Sequence, residues 1–125
     1  GGFRLETLDE NKPIFQQIAE KIENDIVEGL LQEDEQVPSV NQFALHYRIN
    51  PATAAKGVNV LVDRGVLYKR RGIGMFVAQG ARQRLIDERK ARFYEDFVVK
   101  LLSEARKLGI SKQEIIDMLR KEVDA

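Results

Sequence analysis

The chain has 125 residues, 43% hydrophobic and 32% charged, which suits one domain of ordinary size or a small domain with an appendage. It has no cysteine and a single histidine, His46, so disulfide staples are excluded and any metal site would fall to histidine and carboxylates. Net charge is zero, yet residues 1–36 carry 3 Lys/Arg against 10 Asp/Glu, residues 37–80 carry 6 against 1, and residues 81–125 carry 11 against 9. The middle third is therefore a local cationic surface. Charges act over a Debye length of roughly 8–10 Å, so this local excess governs attraction to phosphate more than the net value does. No apolar run approaches the roughly 20 residues of a membrane span. No basic segment followed by an apolar stretch opens the chain, so export is not expected and a cytoplasmic setting is.

Residues 3–11 read as an extended lead-in or short strand. Pro13 suits a first helical position, and Ile14, Ile18, Ile22 and Ile26 follow at steps of four, with Gly29 placed as a stop. This predicts a helix over about 13–28 with an acidic outer face. A connector with the run Glu33-Asp34-Glu35, expected to be a solvated loop, leads to Pro38. Ser39 then opens a short helix, with Gln42 three residues on completing a capping box. Arg48-Ile49-Asn50 is a tight turn. Asn50 caps a third helix with Pro51 at its first position, and Ala54, Val58, Leu61 and Val62 form its buried stripe up to Gly65. Only three or four residues separate the second and third helices, the connection length of a DNA-binding helix-turn-helix.

Val66-Leu67-Tyr68 and Met75-Phe76-Val77 are β-rich runs flanking Lys69-Arg70-Arg71-Gly72-Ile73-Gly74, a hairpin with a basic tip. A hairpin directly after a helix-turn-helix is a wing. From Ala81 to Lys107 the chain is helical in pattern, without Gly or Pro, and Gly109 ends it. Ser111 and Glu114 open a last helix to about Glu122, with Ile115, Met118 and Leu119 inward.

Catalysis finds no purchase in this pattern. The lone histidine has no serine or cysteine nucleophile arranged beside it, and there is no HExxH or Walker loop. Gly72-Ile73-Gly74 precedes a strand, whereas a phosphate-cradling loop precedes a helix, so it serves turn geometry. His46 is expected at an exposed helix end. A nucleic-acid surface has better support because its parts agree in order. Ser39 and Asn41 open the second helix, whose N–H groups and dipole suit a phosphate. Asn50, Ala52, Thr53 and Lys56 lie in the first turns of the third helix, away from its apolar stripe. Short polar or methyl side chains plus a cation suit base edges and phosphates of the major groove. Arg70, Arg71 and Gly72 occupy the wing tip, where they would meet the backbone or minor groove.

From Pro13 to Val77 the sequence resembles the GntR family of bacterial regulators. The resemblance rests on Pro13-Ile14-Phe15-Gln16-Gln17-Ile18, Gly29 and Leu31, Val37-Pro38-Ser39-Val40, Ile49-Asn50-Pro51-Ala52-Thr53-Ala54, Leu61 with Arg64-Gly65-Val66-Leu67, and Arg71-Gly72-Ile73-Gly74-Met75-Phe76-Val77. The Asn-Pro start of the third helix and the short tail are similar to the YtrA-like branch. The resemblance implies a dimeric repressor on a pseudo-palindromic operator of double-stranded DNA. Two departures stand out. Asn41 occupies a place where the family usually has an arginine that contacts DNA, and Ala52, Ala55 and Gly57 stand where bulkier or polar residues are common. The remaining 45 or so residues are too few to enclose an ordinary effector pocket of roughly 300 Å³.

The expected fold is α+β, mostly α: a winged helix-turn-helix of three helices and a hairpin over 3–79, then a two-helix dimerisation segment over 80–125. A helix of about 27 residues spans roughly 40 Å. It cannot bury Ile86, Phe93, Tyr94, Phe97, Val98, Leu101, Leu102 and Ala105 against the wing, so a two-fold partner is the natural cover. The alternatives are a monomer whose last helix folds over that stripe and, for function, a winged-helix protein-interaction module that binds no DNA. No cofactor and no metal are expected, no membrane partner is expected, and no small-molecule effector is assigned.

Overall fold

A computed structural model describes residues 8–122. Most of the expected lead-in over residues 3–11 lies outside them. The elements are α1 (Ile14–Val27), α2 (Val40–Tyr47), α3 (Pro51–Asp63), β1 (Leu67–Arg70), β2 (Gly74–Val77), α4 (Ala81–Phe93), a π turn (Tyr94–Val98), α5 (Val99–Leu108) and α6 (Lys112–Lys121). The chain divides into two compact units, one ending at Ile86 and the other beginning at Asp87. The first unit therefore takes in the opening of α4, and Ala81 and Leu85 are buried in its core.

That core forms where three amphipathic helices and the hairpin converge. Ile18, Ile22 and Ile26 of α1, Phe43 of α2, Val58 and Leu61 of α3, and Leu67 and Val77 of the hairpin are all buried. Burying one such side chain is worth about 1.5–3 kcal/mol. Ile14, at the head of the expected stripe, is instead exposed. Helices α1 and α3 pack through Gly57. A Cβ there would lie 2.6 Å from the Phe15 carbonyl oxygen and 2.8 Å from the Ile18 Cβ, so only glycine admits this approach.

The expected acidic outer face of α1 needs correction. Asp25 is fully buried, with Lys21 Nζ 3.1 Å from its carboxylate, and Glu23 is ion-paired with Arg64 of α3 at 3.1 Å. Two of the acidic residues thus face the protein, each matched with a cation. At the far end, the Arg82 guanidinium donates to the Val27 carbonyl at 3.1 Å, a cation placed at a helix C-terminus.

The strands β1 and β2 pair antiparallel, Leu67 against Val77 and Arg70 against Gly74. Lys69 and Arg70 are strand residues, so the turn proper is Arg71-Gly72-Ile73, closed by the Ile73 N–H on the Arg70 carbonyl at 2.9 Å. Among the described residues of the second unit the buried apolar ones are Ala105 and Ile115, one each from α5 and α6. Between these two helices lies an open apolar groove of about 310 Å³ lined by Leu101, Leu108, Ile110, Met118 and Leu119 among others.

Candidate nucleic-acid interface

The helix-turn-helix is built by local caps. Ser39 Oγ accepts the Gln42 N–H at 3.1 Å, and the Gln42 side chain accepts the Ser39 N–H at 2.6 Å. This reciprocal box fixes where α2 begins, just after Pro38. Arg48 ends α2 in the left-handed region at φ 55°, Ile49 follows, and Asn50 opens α3 by accepting the Ala52 N–H at 2.8 Å. Three residues thus separate the helices. Ala54, Gly57 and Val58 face inward, leaving Asn50, Ala52, Lys56 and Asn59 exposed and Thr53 half-buried.

The expected contact residues are in different states of readiness. The Ser39 hydroxyl is engaged in its cap, while Asn41 is exposed. The Asn50 side-chain oxygen is likewise engaged, which leaves its amide to donate. Lys56 is exposed, but its ammonium rests 4.1 Å from the centroid of the Phe15 ring, which directs the side chain along α1. Arg70 lies over the Phe76 ring at 5.3 Å, and Phe76 stacks on Tyr68 across the strands at 5.7 Å. Arg71 is exposed at the turn, beside Gly72 in the left-handed region.

Residues 37–80 hold six cations, and the structure sorts them. Arg64 is ion-paired with Glu23, whereas Arg48, Lys56, Lys69, Arg70 and Arg71 are exposed. Arg48, Lys69 and Asn59 were not among the residues expected from sequence. The charge count of the segment included the first two, but their placement needed the helix faces and the strand ends. Exposed residues at the N-terminal turns of α3 and at the hairpin tip can reach base edges and phosphates respectively.

The connector over Glu33–Gln36 lies at the surface, as the solvated loop expected of Glu33-Asp34-Glu35 would, but it is tied in place by hydrogen bonds. Asp34, at φ 65°, accepts the Tyr68 hydroxyl at 2.9 Å and the Gln79 amide at 3.0 Å, and Glu33 accepts the Gly80 N–H at 2.8 Å. These bonds hold the Asp34 carboxyl below its ordinary range, Gln79 contributing most and Tyr68 next, and the Asp34 bond in turn raises the Tyr68 hydroxyl. Among the described residues no group of histidine and carboxylates could hold a metal, and His46 is an exposed residue in the last turn of α2.

In the second unit Phe93 is 57% exposed, Tyr94 59%, Phe97 64% and Leu101 47%. The Phe93 and Phe97 rings lie 5.3 Å apart. They stand four apart, the spacing that makes side chains neighbours along a helix, and Phe97 lies within the π turn that follows Phe93. Ile86, Val98 and Leu102 are half-buried. Ala105 is already covered within the α5 and α6 pair, so it is not open surface as the stripe had it.

Known proteins bear on this geometry. The YtrA transcriptional repressor of Bacillus subtilis is 25% identical over 113 residues, covering 90% of this chain and 85% of that protein. A solved GntR family transcriptional regulator from Listeria monocytogenes superposes with a TM-score of 0.71 at 28% identity, covering 93% of this chain and 100% of that one. The DNA-binding domain of AraR, solved in complex with operator ORX1, matches 60% of this chain and 98% of its own at 30% identity, with a TM-score of 0.56. The model of the bacterial regulatory proteins, gntR family, matches residues 14–77, just over half the chain. With its capped α2 and α3 and its basic hairpin, this chain belongs to the gntR family of bacterial regulatory proteins.

Proposed function

We propose that the chain is a sequence-specific DNA-binding transcriptional regulator, a repressor that acts in the cytoplasm as a homodimer on a pseudo-palindromic operator. The observation that carries it is the capped start of α3, whose first turns stand exposed three residues after α2 while Ala54 and Val58 anchor the same helix in the core. The AraR domain, which shares this architecture, was solved on an operator, and that supports duplex DNA as the partner here. In this reading Asn50, Ala52, Thr53 and Lys56 enter the major groove, Ser39 and Asn41 bring the α2 N-terminus to a phosphate, and Arg70, Arg71 and Gly72 meet the flanking backbone. The exposed aromatic stripe from Phe93 to Leu101 supports a second copy as its cover. No catalytic role is part of the proposal, and no described helix is long and apolar enough to cross a membrane.

Asn41 favours a second reading, a winged-helix protein-interaction module, because the arginine expected there from the family is missing. Retardation of genomic fragments separates the two. Binding that selects particular fragments supports the regulator, and no retardation at low salt overturns it. With a selected fragment in hand, Lys56→Ala, Arg70→Ala and Arg71→Ala should each lower the salt slope of binding by about one unit per protomer. Three variants that bind like the parent across the salt series would place the DNA surface elsewhere.

A further inference from the structure

The connector between α1 and α2 is paired along the hairpin. The Asp34 N–H donates to the Val77 carbonyl at 2.7 Å, the Val77 N–H to the Glu35 carbonyl at 3.0 Å, and the Val37 N–H to the Met75 carbonyl at 2.9 Å. Side chains fasten both ends of it. Tyr68 and Gln79 hold Asp34 at the base of the hairpin. At the tip, the Gln36 amide donates to the Ile73 carbonyl at 3.1 Å, across 37 residues of sequence. That amide also fills the space over Gly74. A Cβ at Gly74 would lie 2.5 Å from Gln36 Nε2, and Gly74 holds φ at +151°. Ile73 is therefore tied twice, its N–H to Arg70 within the turn and its carbonyl to Gln36 outside it. Arg71 lies within the turn that the first of these closes. Two residues beyond Val37, the same connector becomes the Ser39 cap of α2.

We infer that Gln36 is a positioning residue for DNA binding, holding the wing tip so that Arg71 meets a phosphate in register with the start of α2. An exposed two-stranded hairpin is marginally stable alone, and its tip would otherwise sample many directions. A charge that samples many directions forms a phosphate contact in only a fraction of complexes. Tethering the Ile73 carbonyl to the connector removes that freedom before DNA arrives, which raises affinity through preorganisation. Gln36 carries no charge, so any effect it has on the electrostatics of binding must pass through a cation it positions.

This inference rests on the wing reading above, and its test separates the two. The probe is a fluorescein-labelled random-sequence duplex, because a phosphate contact does not depend on sequence. Gln36→Met keeps the side chain's length and removes the donor, and Gln36→Ala serves as the second variant. Each is titrated over a salt series, alone and combined with Arg71→Ala, beside a thermal melt. The expected result is that either Gln36 variant weakens binding and lowers the salt slope by about one unit per protomer, as Arg71→Ala does. In the Arg71→Ala background the Gln36 change should then add nothing. Parent-like affinity and slope in both Gln36 variants overturn the inference. So does an equal loss with and without Arg71, or a loss that follows melting temperature at unchanged slope. If Arg71→Ala itself binds like the parent, the wing reading falls and this inference with it.

Discussion

The two units of this chain treat apolar residues in opposite ways. Among the described residues through Ile86 most apolar ones point inward, Ile14, Leu45 and Ile73 excepted, and Ile18, Ile22, Phe43, Val58, Leu61 and Val77 lose nearly all contact with water. From Asp87 onward the buried ones among the described residues are Ala105 and Ile115, while Phe93, Tyr94, Phe97, Leu108 and Leu119 are all more than half exposed. Three helices and a hairpin can surround a common centre, but a helical pair shares one seam and leaves the outer faces wet. An apolar face of that kind on a helix marks a surface that another surface covers. The first unit thus has a core of its own, whereas the second leaves most of its large apolar side chains in water.

The largest effect is expected of Phe97→Asp. If a second copy covers the stripe, two carboxylates enter the seam at once, the dimer parts, and operator affinity falls by roughly 10²–10⁴ as the effective-concentration gain is lost. The melt of the first unit should hardly move, since its core does not include Phe97. Analytical ultracentrifugation and retardation read both effects. A parent that sediments as a monomer at tens of micromolar removes the dimer.

Gly57→Ala probes the self-sufficient side. Its Cβ would press on the Phe15 backbone oxygen, an atom that cannot rotate away, so α1 and α3 must separate at a cost of about 1–3 kcal/mol. A lowered melting temperature is expected, with dimerisation unchanged once the variant is folded. No change in melting temperature would mean that the two helices do not approach as closely as described.

The smallest effect concerns Asp34. Its carboxyl titrates below the ordinary value of 3.8, chiefly through Gln79 and then Tyr68. The stabilisation it gives is therefore present above that value and fades as pH falls through the folded one. Tyr68 is raised above 10.0, first by its bond to Asp34, so its share is present below 10.0 and fades as pH rises through the folded value. Asp34→Asn should flatten the acid limb of the stability profile while tolerating the left-handed backbone at this position. Melting curves across the acid range check it. An acid limb of unchanged slope would show that the bonds to Gln79 and Tyr68 do not depend on the charge.

Much of the first unit was legible in the order of residues because its signals are local. The Ser39 and Gln42 box, the Asn50-Pro51 opening and the basic run between two β-rich segments each act within a few positions, so the helices and the hairpin fall where these residues put them. The second unit was legible as helix and as an excess of apolar surface, though not in the π turn over Tyr94–Val98, since no local residue type announces an extra residue in a turn.

Whatever depends on residues distant in sequence was decided by tertiary structure alone. Glu23 reads as part of an acidic face until α1 packs beside the end of α3 and Arg64 comes within 3.1 Å of it. Lys56 reads as a freely reaching cation until α1 sets the Phe15 ring beneath it. Glu33-Asp34-Glu35 is the solvated run expected, but its partners appear only when the hairpin and the residues after it supply donors from Tyr68, Gln79 and Gly80. The reason is common to all three. Periodicity and caps report which backbone conformation a segment prefers, but a charge's partner is fixed only when two segments tens of residues apart close on each other.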